Sequence, residues 1–67
     1  MKGSEKMAYR EQRLKAGLTM QAAAAALKVS RTTIGNWESG KKQPTAENII
    51  KMSEVYGCTT DELLKGD

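Results

Sequence analysis

The sequence contains no histidine, a single cysteine, and neither of the glycine-rich patterns GxxxxGK[ST] and GxGxxG that hold phosphates. Histidine is the commonest general base, and its neutral imidazole is the commonest metal ligand. Its absence therefore argues against both acid–base catalysis and an imidazole metal site. One cysteine with scattered carboxylates does not form a zinc or iron site. We therefore expect no enzyme activity, no metal, no cofactor and no small-molecule substrate.

Long apolar runs are also missing. The run AAAAA at residues 22–26 is far shorter than the roughly 20 residues that a membrane span needs, and no signal peptide opens the chain. Cys58, being alone, cannot form an internal disulfide, which suits a reducing compartment. These features predict a cytoplasmic protein with no membrane partner.

The chain is short and its charge is unevenly distributed. Its 67 residues are expected to form one domain over residues 1–67. Residues 1–44 carry nine Lys/Arg against three Asp/Glu, a net charge of +6, whereas residues 45–67 carry two against five, a net charge of −3. This polarity favours an anionic partner for the N-terminal part, although an ordinary solvated surface also explains a basic half.

Turn residues divide the chain into five helical segments, and no segment is typical of a strand. Most helix ends carry a glycine and most helix starts a hydroxyl residue. The glycines are Gly17, Gly40 and Gly57, and the caps are Thr19, Ser30, Thr45 and Thr59. The fourth segment has an apolar side made of Ile49, Ile50, Met52, Val55 and Tyr56. The predicted fold class is all-α, a compact five-helix domain with helices at about 5–16, 20–27, 31–39, 46–56 and 60–65.

The third predicted helix has two different faces. Ile34 and Trp37 lie three residues apart on an apolar side, so Trp37 is expected in the core rather than stacked on a base. The opposite side carries small polar groups, a guanidinium and a glycine: Arg31, Thr32, Gly35 and Asn36. An ordinary solvated face would more often carry Glu and Lys, which are better helix formers. The polar groups present instead suit the hydrogen-bond patterns of base edges, with a plain surface helix as the alternative.

The second and third helices, with the short turn between them, form a helix-turn-helix. The stretch GLTMQAAAAALKVSRTTIGNWESGKKQP resembles that of lambdoid phage repressors and Cro proteins, the xenobiotic-response-element family. The matching positions are Gly17-Leu18-Thr19, Ala24, Val29-Ser30, Ile34, Trp37-Glu38, Gly40-Lys41 and Pro44. The resemblance covers about residues 7–66. It implies a lambda-repressor-like fold and a transcriptional regulator of phage, prophage or bacterial origin that binds a palindromic double-stranded DNA operator.

The resemblance also implies roles for individual residues. The family's recognition helix enters the major groove, and the base-reading positions here are Ser30, Arg31, Thr32 and Asn36. Arg31 can pair with guanine, Asn36 with adenine, and the Thr32 methyl with a thymine methyl. Phosphate contacts are implied for Lys41, Lys42 and Gln43, although these three residues also suit an ordinary basic turn. We also expect phosphate contacts from Thr33, at the side of the polar face, and from Gln21 if the docking shifts. Gly35 either permits a close approach to DNA or is simply a small residue.

One structural pair is implied and three positions depart from the family pattern. Arg13 and Glu38 match an ion pair that fixes orientation more than it adds stability. Met20 stands where the family usually has a phosphate-binding glutamine, and Gln21 points about 100° away from it. Ala23 replaces the usual leucine, which implies a thinner core or a larger neighbour, namely Tyr9, Met7 or Met52. Lys28 occupies a turn position that usually holds glycine.

The C-terminal segment bears on how the protein assembles, and Met20 bears on an alternative function. Repressors of this kind pair two domains on a palindrome, so we expect a homodimer on DNA with an interface at Cys58, Leu63 and Leu64. Leu63 and Leu64 point about 100° apart, so either one meets a partner or both lie inside the domain. The alternative function is a protein-interaction module, such as an antitoxin or adaptor, with little DNA affinity. Met20 favours that alternative, and the charge distribution favours DNA.

Overall fold

The computed structural model describes residues 7–65, which form five α-helices connected by short turns. The helices are α1 (Tyr9–Lys15), α2 (Met20–Leu27), α3 (Arg31–Ser39), α4 (Ala46–Tyr56) and α5 (Thr60–Leu64). The predicted all-α, five-helix fold class is confirmed. None of the helices in this part of the chain is long and apolar enough to cross a membrane.

Side-chain caps determine where four of the helices begin. In each case a hydroxyl oxygen accepts a hydrogen bond from the backbone N–H three residues further along: Thr19 from Ala22, Ser30 from Thr33, Thr45 from Asn48, and Thr59 from Glu62. The Glu62 carboxylate in turn accepts the N–H of Thr59 at 2.9 Å. Each cap satisfies a donor that the helix cannot, which is worth on the order of 1 kcal/mol.

The first helix is shorter than the sequence predicts. It begins at Tyr9 rather than near residue 5, and it ends at Lys15. Met7 and Ala8 precede it, while residues 5 and 6 of the predicted helix lie outside the described residues. The backbone N–H of Ala8 donates to the carbonyl of Leu63 in α5 at 2.8 Å, so a long-range contact sets the direction of the chain before its first turn. The last helix also ends one residue early, at Leu64.

The core draws its largest fully buried side chains from three helices: Ile34, Met52 and Leu63. Trp37 is buried, as predicted. Ala23 is fully buried in the same apolar cluster as Tyr9 and Met52. These two larger side chains therefore accompany the small one, whereas Met7, the third proposed neighbour, is exposed.

The predicted apolar side of α4 wrongly includes Ile50. Met52 and Tyr56 are buried and Ile49 packs against the core, but Ile50 is 53% exposed. Ile50 follows Ile49 by one position, which turns it about 100° around the helix axis. Helical spacing alone does not show how far an apolar stripe extends around a helix.

The turn between α2 and α3 is held by a left-handed residue. Lys28 has φ 60° and ψ 42°, the conformation that the family's usual glycine would adopt freely. Its N–H and that of Val29 donate to the carbonyls of Ala25 and Ala24, which closes the end of α2. The lysine costs on the order of 1 kcal/mol there, and the turn still directs the chain into α3.

Candidate nucleic-acid interface

A buried ion pair holds α3 in position. The guanidinium of Arg13 donates from Nε to Oε2 of Glu38 at 2.6 Å and from Nη2 to Oε1 at 3.0 Å. Its Nη1 donates to the carbonyl of Leu18 at 2.8 Å, in the turn before α2. One side chain therefore joins α1, that turn and α3, and the hydrogen bond to Glu38 raises the pKa of Arg13. The pair implied by the resemblance is present, and it takes Arg13 away from any DNA contact.

The hydroxyl of Tyr56 lies in the interior near this pair. It is buried and has no hydrogen-bond partner within residues 7–65. Burial, together with the negative charge of Glu38, raises the pKa of Tyr56 to about 12. The neutral phenol is therefore the form that the folded domain accommodates.

We expect Tyr56→Phe to raise the free energy of unfolding by about 1 kcal/mol at pH 7, because it removes a buried hydroxyl without a partner. Tyrosine titrates near 10 in an unfolded chain and near 12 here, so the folded state holds the proton more tightly. Ionisation of Tyr56 therefore leaves the free energy of unfolding unchanged below pH 10 and lowers it progressively as pH rises towards 12. Thermal unfolding from pH 8 to 12 should show a steeper loss in the wild type than in the variant. Parallel curves would contradict this assignment, since lysine ionisation is common to both proteins.

The exposed face of α3 brings three of the predicted base-reading residues together. Arg31 and Thr32 are exposed and Asn36 is partly exposed. With Met20 and Gly35 they line one open depression of about 340 Å³. A guanidinium, a hydroxyl and an amide therefore surround one shallow site on the surface.

Ser30, the fourth predicted base-reading residue, is engaged within the protein. Its Oγ accepts the N–H of Thr33 at 3.1 Å and lies 2.9 Å from Oγ1 of Thr33. The two hydroxyls thus satisfy each other at the start of α3. In the free domain, Ser30 is the N-cap of α3, and Thr33 supplies the backbone N–H that this cap satisfies.

Four of the predicted phosphate-contacting residues, one at the start of α2 and three in the loop after α3, are exposed. Lys41, Lys42 and Gln43 are exposed in the loop that follows α3. The backbone N–H of Lys42 donates to the carbonyl of Asn36 at 3.2 Å, so the loop is fastened to the helix it follows. Gln21 is exposed at the start of α2 and lines a second open depression of about 580 Å³ that also reaches Arg31.

Electrostatics favour an anion along this surface. Between Met20 and Gln43 the sequence has four cationic residues and one acidic residue, Glu38. The Glu38 side chain is only 8% exposed and is paired with Arg13. The cations of this segment therefore face solvent without a competing carboxylate of their own.

A contact that sequence reasoning missed joins α2 to α3. Met20, at the start of α2, lies against Gly35, so that a Cβ at position 35 would sit 3.4 Å from the Met20 Cε atom. The two residues are fifteen positions apart and neither belongs to a recognisable motif. Only the close packing of α2 on α3 reveals the contact.

The predicted dimer residues are separated by the fold. Leu63 is fully buried in the domain's own core, so its assignment to a dimer interface is wrong. Leu64 is 42% exposed. Cys58 is partly buried, and burial raises the pKa of its thiol. Adjacent residues of a helix point about 100° apart, so Leu63 enters the core while Leu64 faces outward.

A helix, a tight turn and a second helix that presents polar groups from a five-helix core define a helix-turn-helix DNA-binding domain. The chain belongs to the Cro/C1-type helix-turn-helix family, whose family model matches residues 10–63. Members of this family are non-enzymatic DNA-binding transcriptional regulators. The resemblance drawn from the sequence is thereby confirmed.

Several characterised proteins are similar to the chain. The regulator DicA of Escherichia coli is 36% identical over 63 residues, which cover 94% of this chain and 45% of DicA. The transcriptional activator BcrR of Enterococcus faecalis is 45% identical over 58 residues, covering 84% of this chain and 28% of BcrR. The chain thus spans less than half the length of these relatives.

One solved structure extends the comparison to three dimensions. The c2 repressor of phage P22, crystallised with a synthetic operator, matches with a TM-score of 0.78 and 34% identity. The match covers 88% of this chain and 89% of that one. The fold and connectivity described above are therefore those of a domain that has been seen on DNA.

Proposed function

We propose that the chain is a sequence-specific regulator of transcription that places α3 in the major groove of a palindromic double-stranded DNA operator. The observation that carries this proposal is the face of α3, where Arg31, Thr32 and Asn36 surround one depression. The inward-facing ion pair of Arg13 and Glu38 supports it, because it fixes the helix from behind. The likeness to the P22 repressor, which was crystallised with an operator, supports the same docking.

In this proposal the contacts divide into two classes. Arg31 and Asn36 read base edges by paired hydrogen bonds, and Thr32 adds a methyl contact. Phosphates are contacted by Lys41, Lys42, Gln43 and Gln21. Of the two residues at the start of α3, Ser30 contacts a base edge and Thr33 a phosphate. Regulation follows from occupying the operator, which blocks or recruits polymerase without chemistry by the domain itself. The protein then acts where the DNA is, in the bacterial cytoplasm or the phage-infected cell.

We further propose that two copies pair on the operator, because one recognition helix reads too few base pairs to mark a single genomic site. Leu64, exposed on α5, is the central contact, and the partly exposed Cys58 lies near it in sequence. Two such domains would address half-sites about one helical turn apart, roughly 34 Å.

The test is selection of bound sequences from a random duplex pool, followed by affinity measurements on the selected site. Arg31→Ala and Asn36→Ala should each weaken binding by roughly 1–3 kcal/mol and relax the preference at one base pair, because each removes a bidentate contact of two hydrogen bonds to one base. Equal losses on selected and random duplexes would show that the two residues contact only the backbone.

Lys41→Ala is the matched control. It should weaken all sequences alike, since a phosphate contact carries no base information, and reduce the slope of log K against log[salt] by about one unit. Affinity that does not change with salt would contradict the phosphate role. If no duplex were selected at all, the domain would instead be a protein-interaction module.

A further inference from the structure

One apolar spot interrupts the polar face of α3. The Met20 side chain is partly exposed and its Cε methyl lies against Gly35, at the floor of the depression lined by Arg31, Thr32 and Asn36. A phosphate cannot hydrogen-bond to a thioether methyl, so Met20 does not perform the task of the glutamine it replaces. The spot needs a partner that is itself apolar and that can sit among hydrogen-bonding groups.

Double-stranded DNA offers one such group in its major groove. The four bases present donors and acceptors there, and only thymine adds a methyl group, at C5. We propose that Met20 and Gly35 form a pocket for the thymine 5-methyl group, an inference that rests on the proposed function. Methionine suits the task because its unbranched thioether adjusts to the shape of the group it contacts.

The neighbouring side chains favour thymine over another methylated base. Asn36 lines the same depression and can take both the N6 and N7 positions of adenine. A single thymine–adenine pair therefore offers both the methyl and the adenine edge that this site would receive together. Arg31, at the other side, remains free to read a neighbouring guanine.

Gly35 gives the pocket its depth. Glycine is the poorest helix former apart from proline, yet it stands within α3, and its φ is not one that requires glycine. A Cβ at position 35 would sit 3.4 Å from Met20 Cε, in ordinary contact, so alanine fits sterically. Alanine would nevertheless raise the floor on which a thymine methyl would rest. The helix thus keeps a shallow cavity at the expense of its own stability.

The experiment removes one methyl group at a time from the DNA. In a duplex selected for binding, each thymine is replaced by deoxyuridine, which differs only by that methyl. For the wild type, one thymine in each half-site should show about a fourfold loss of affinity, the amount expected for one buried methyl group. Met20→Ala and Gly35→Ala should each bind the thymine and uracil duplexes with nearly equal affinity. Gly35→Ala should also raise the melting temperature, which separates loss of the pocket from loss of the fold.

Two controls make the result specific. Thr32→Ser removes the side-chain methyl group of Thr32. The loss of affinity on replacing the thymine that contacts Met20 with deoxyuridine should be the same in this variant as in the wild type. A 5-methylcytosine–guanine pair at that position keeps the methyl but removes adenine, so it should bind more weakly than thymine–adenine. Equal affinity for the two pairs would overturn the assignment to thymine.

The remaining outcomes also decide the matter. Indifference of the wild type to every uracil substitution would overturn the pocket and leave the proposed function standing. Uracil sensitivity that persists in either Met20→Ala or Gly35→Ala would place the thymine methyl elsewhere and likewise overturn the pocket. Failure to bind any duplex would overturn the proposed function, and the pocket with it.

Discussion

Glu38→Gln should lower the free energy of unfolding by about 3–5 kcal/mol, enough to unfold much of a domain of this size at room temperature. The substitution keeps the shape of the side chain but removes its charge. The Arg13 guanidinium, 7% exposed, would then remain buried without a counter-charge. Urea denaturation followed by circular dichroism measures the loss, and the surviving folded fraction should bind DNA weakly because α3 is no longer held from behind.

The chain provides a matched control on its surface. Glu47 and Lys51 form a pair at 3.8 Å on α4, with side chains 80% and 49% exposed. Glu47→Gln should change the free energy of unfolding by no more than about 0.5 kcal/mol, because solvent screens an exposed pair. Similar losses for Glu38→Gln and Glu47→Gln would contradict a special role for the buried pair.

A double replacement separates the pair's charge from its position. Arg13→Met with Glu38→Met removes both charges together, so most of the stability lost in Glu38→Gln should return. Recovery should be incomplete, because the carbonyl of Leu18 loses the hydrogen bond that it accepts from Arg13 Nη1. Full recovery would mean that this third hydrogen bond contributes nothing to stability.

Leu63→Ala should cost about 2–5 kcal/mol of stability, whereas Leu64→Ala should cost well under 1 kcal/mol. Leu63 is fully buried and its truncation leaves a cavity, while Leu64 is 42% exposed. Denaturation of the two variants at equal protein concentration measures the difference. Comparable losses would contradict the placement of α5.

The Leu64→Ala variant also tests assembly on DNA. Leu64→Ala should fold normally and still occupy one half-site, but it should fill the second half-site with reduced cooperativity in a footprinting titration. The proposed dimer contact predicts this pattern, because the substitution alters the outer surface of α5 and leaves the core unchanged. Unchanged cooperativity would remove Leu64 from the interface.

Sequence reasoning succeeded where the chemistry is local. The caps at Thr19, Ser30, Thr45 and Thr59 form hydrogen bonds within three residues, so the helix starts they mark agree with the structure. The positions of α2, α3 and α4 follow directly from them. Family resemblance, rather than local chemistry, supplied the Arg13–Glu38 pair, whose partners lie 25 positions apart.

Features that depend on tertiary packing were missed or left open. Ala8, just before α1, donates a hydrogen bond to Leu63 in the distant helix α5, and the choice between Leu63 and Leu64 depends on how α5 meets the core. The exposure of Ile50 depends on how much of α4 its neighbours cover. The contact of Met20 with Gly35 could be found only once α2 and α3 were placed together.

The hydrogen bond between Ala8 and Leu63 has a topological consequence. It joins residues 8 and 63, which lie close to the two ends of the described residues 7–65, through one hydrogen bond. The backbone path is therefore nearly a closed ring, and a short linker between these ends would complete it. A circularly permuted chain opened in the exposed loop at residues 41–43 would keep every helix intact. The tertiary arrangement of the five helices therefore does not require the order in which they follow one another along this chain.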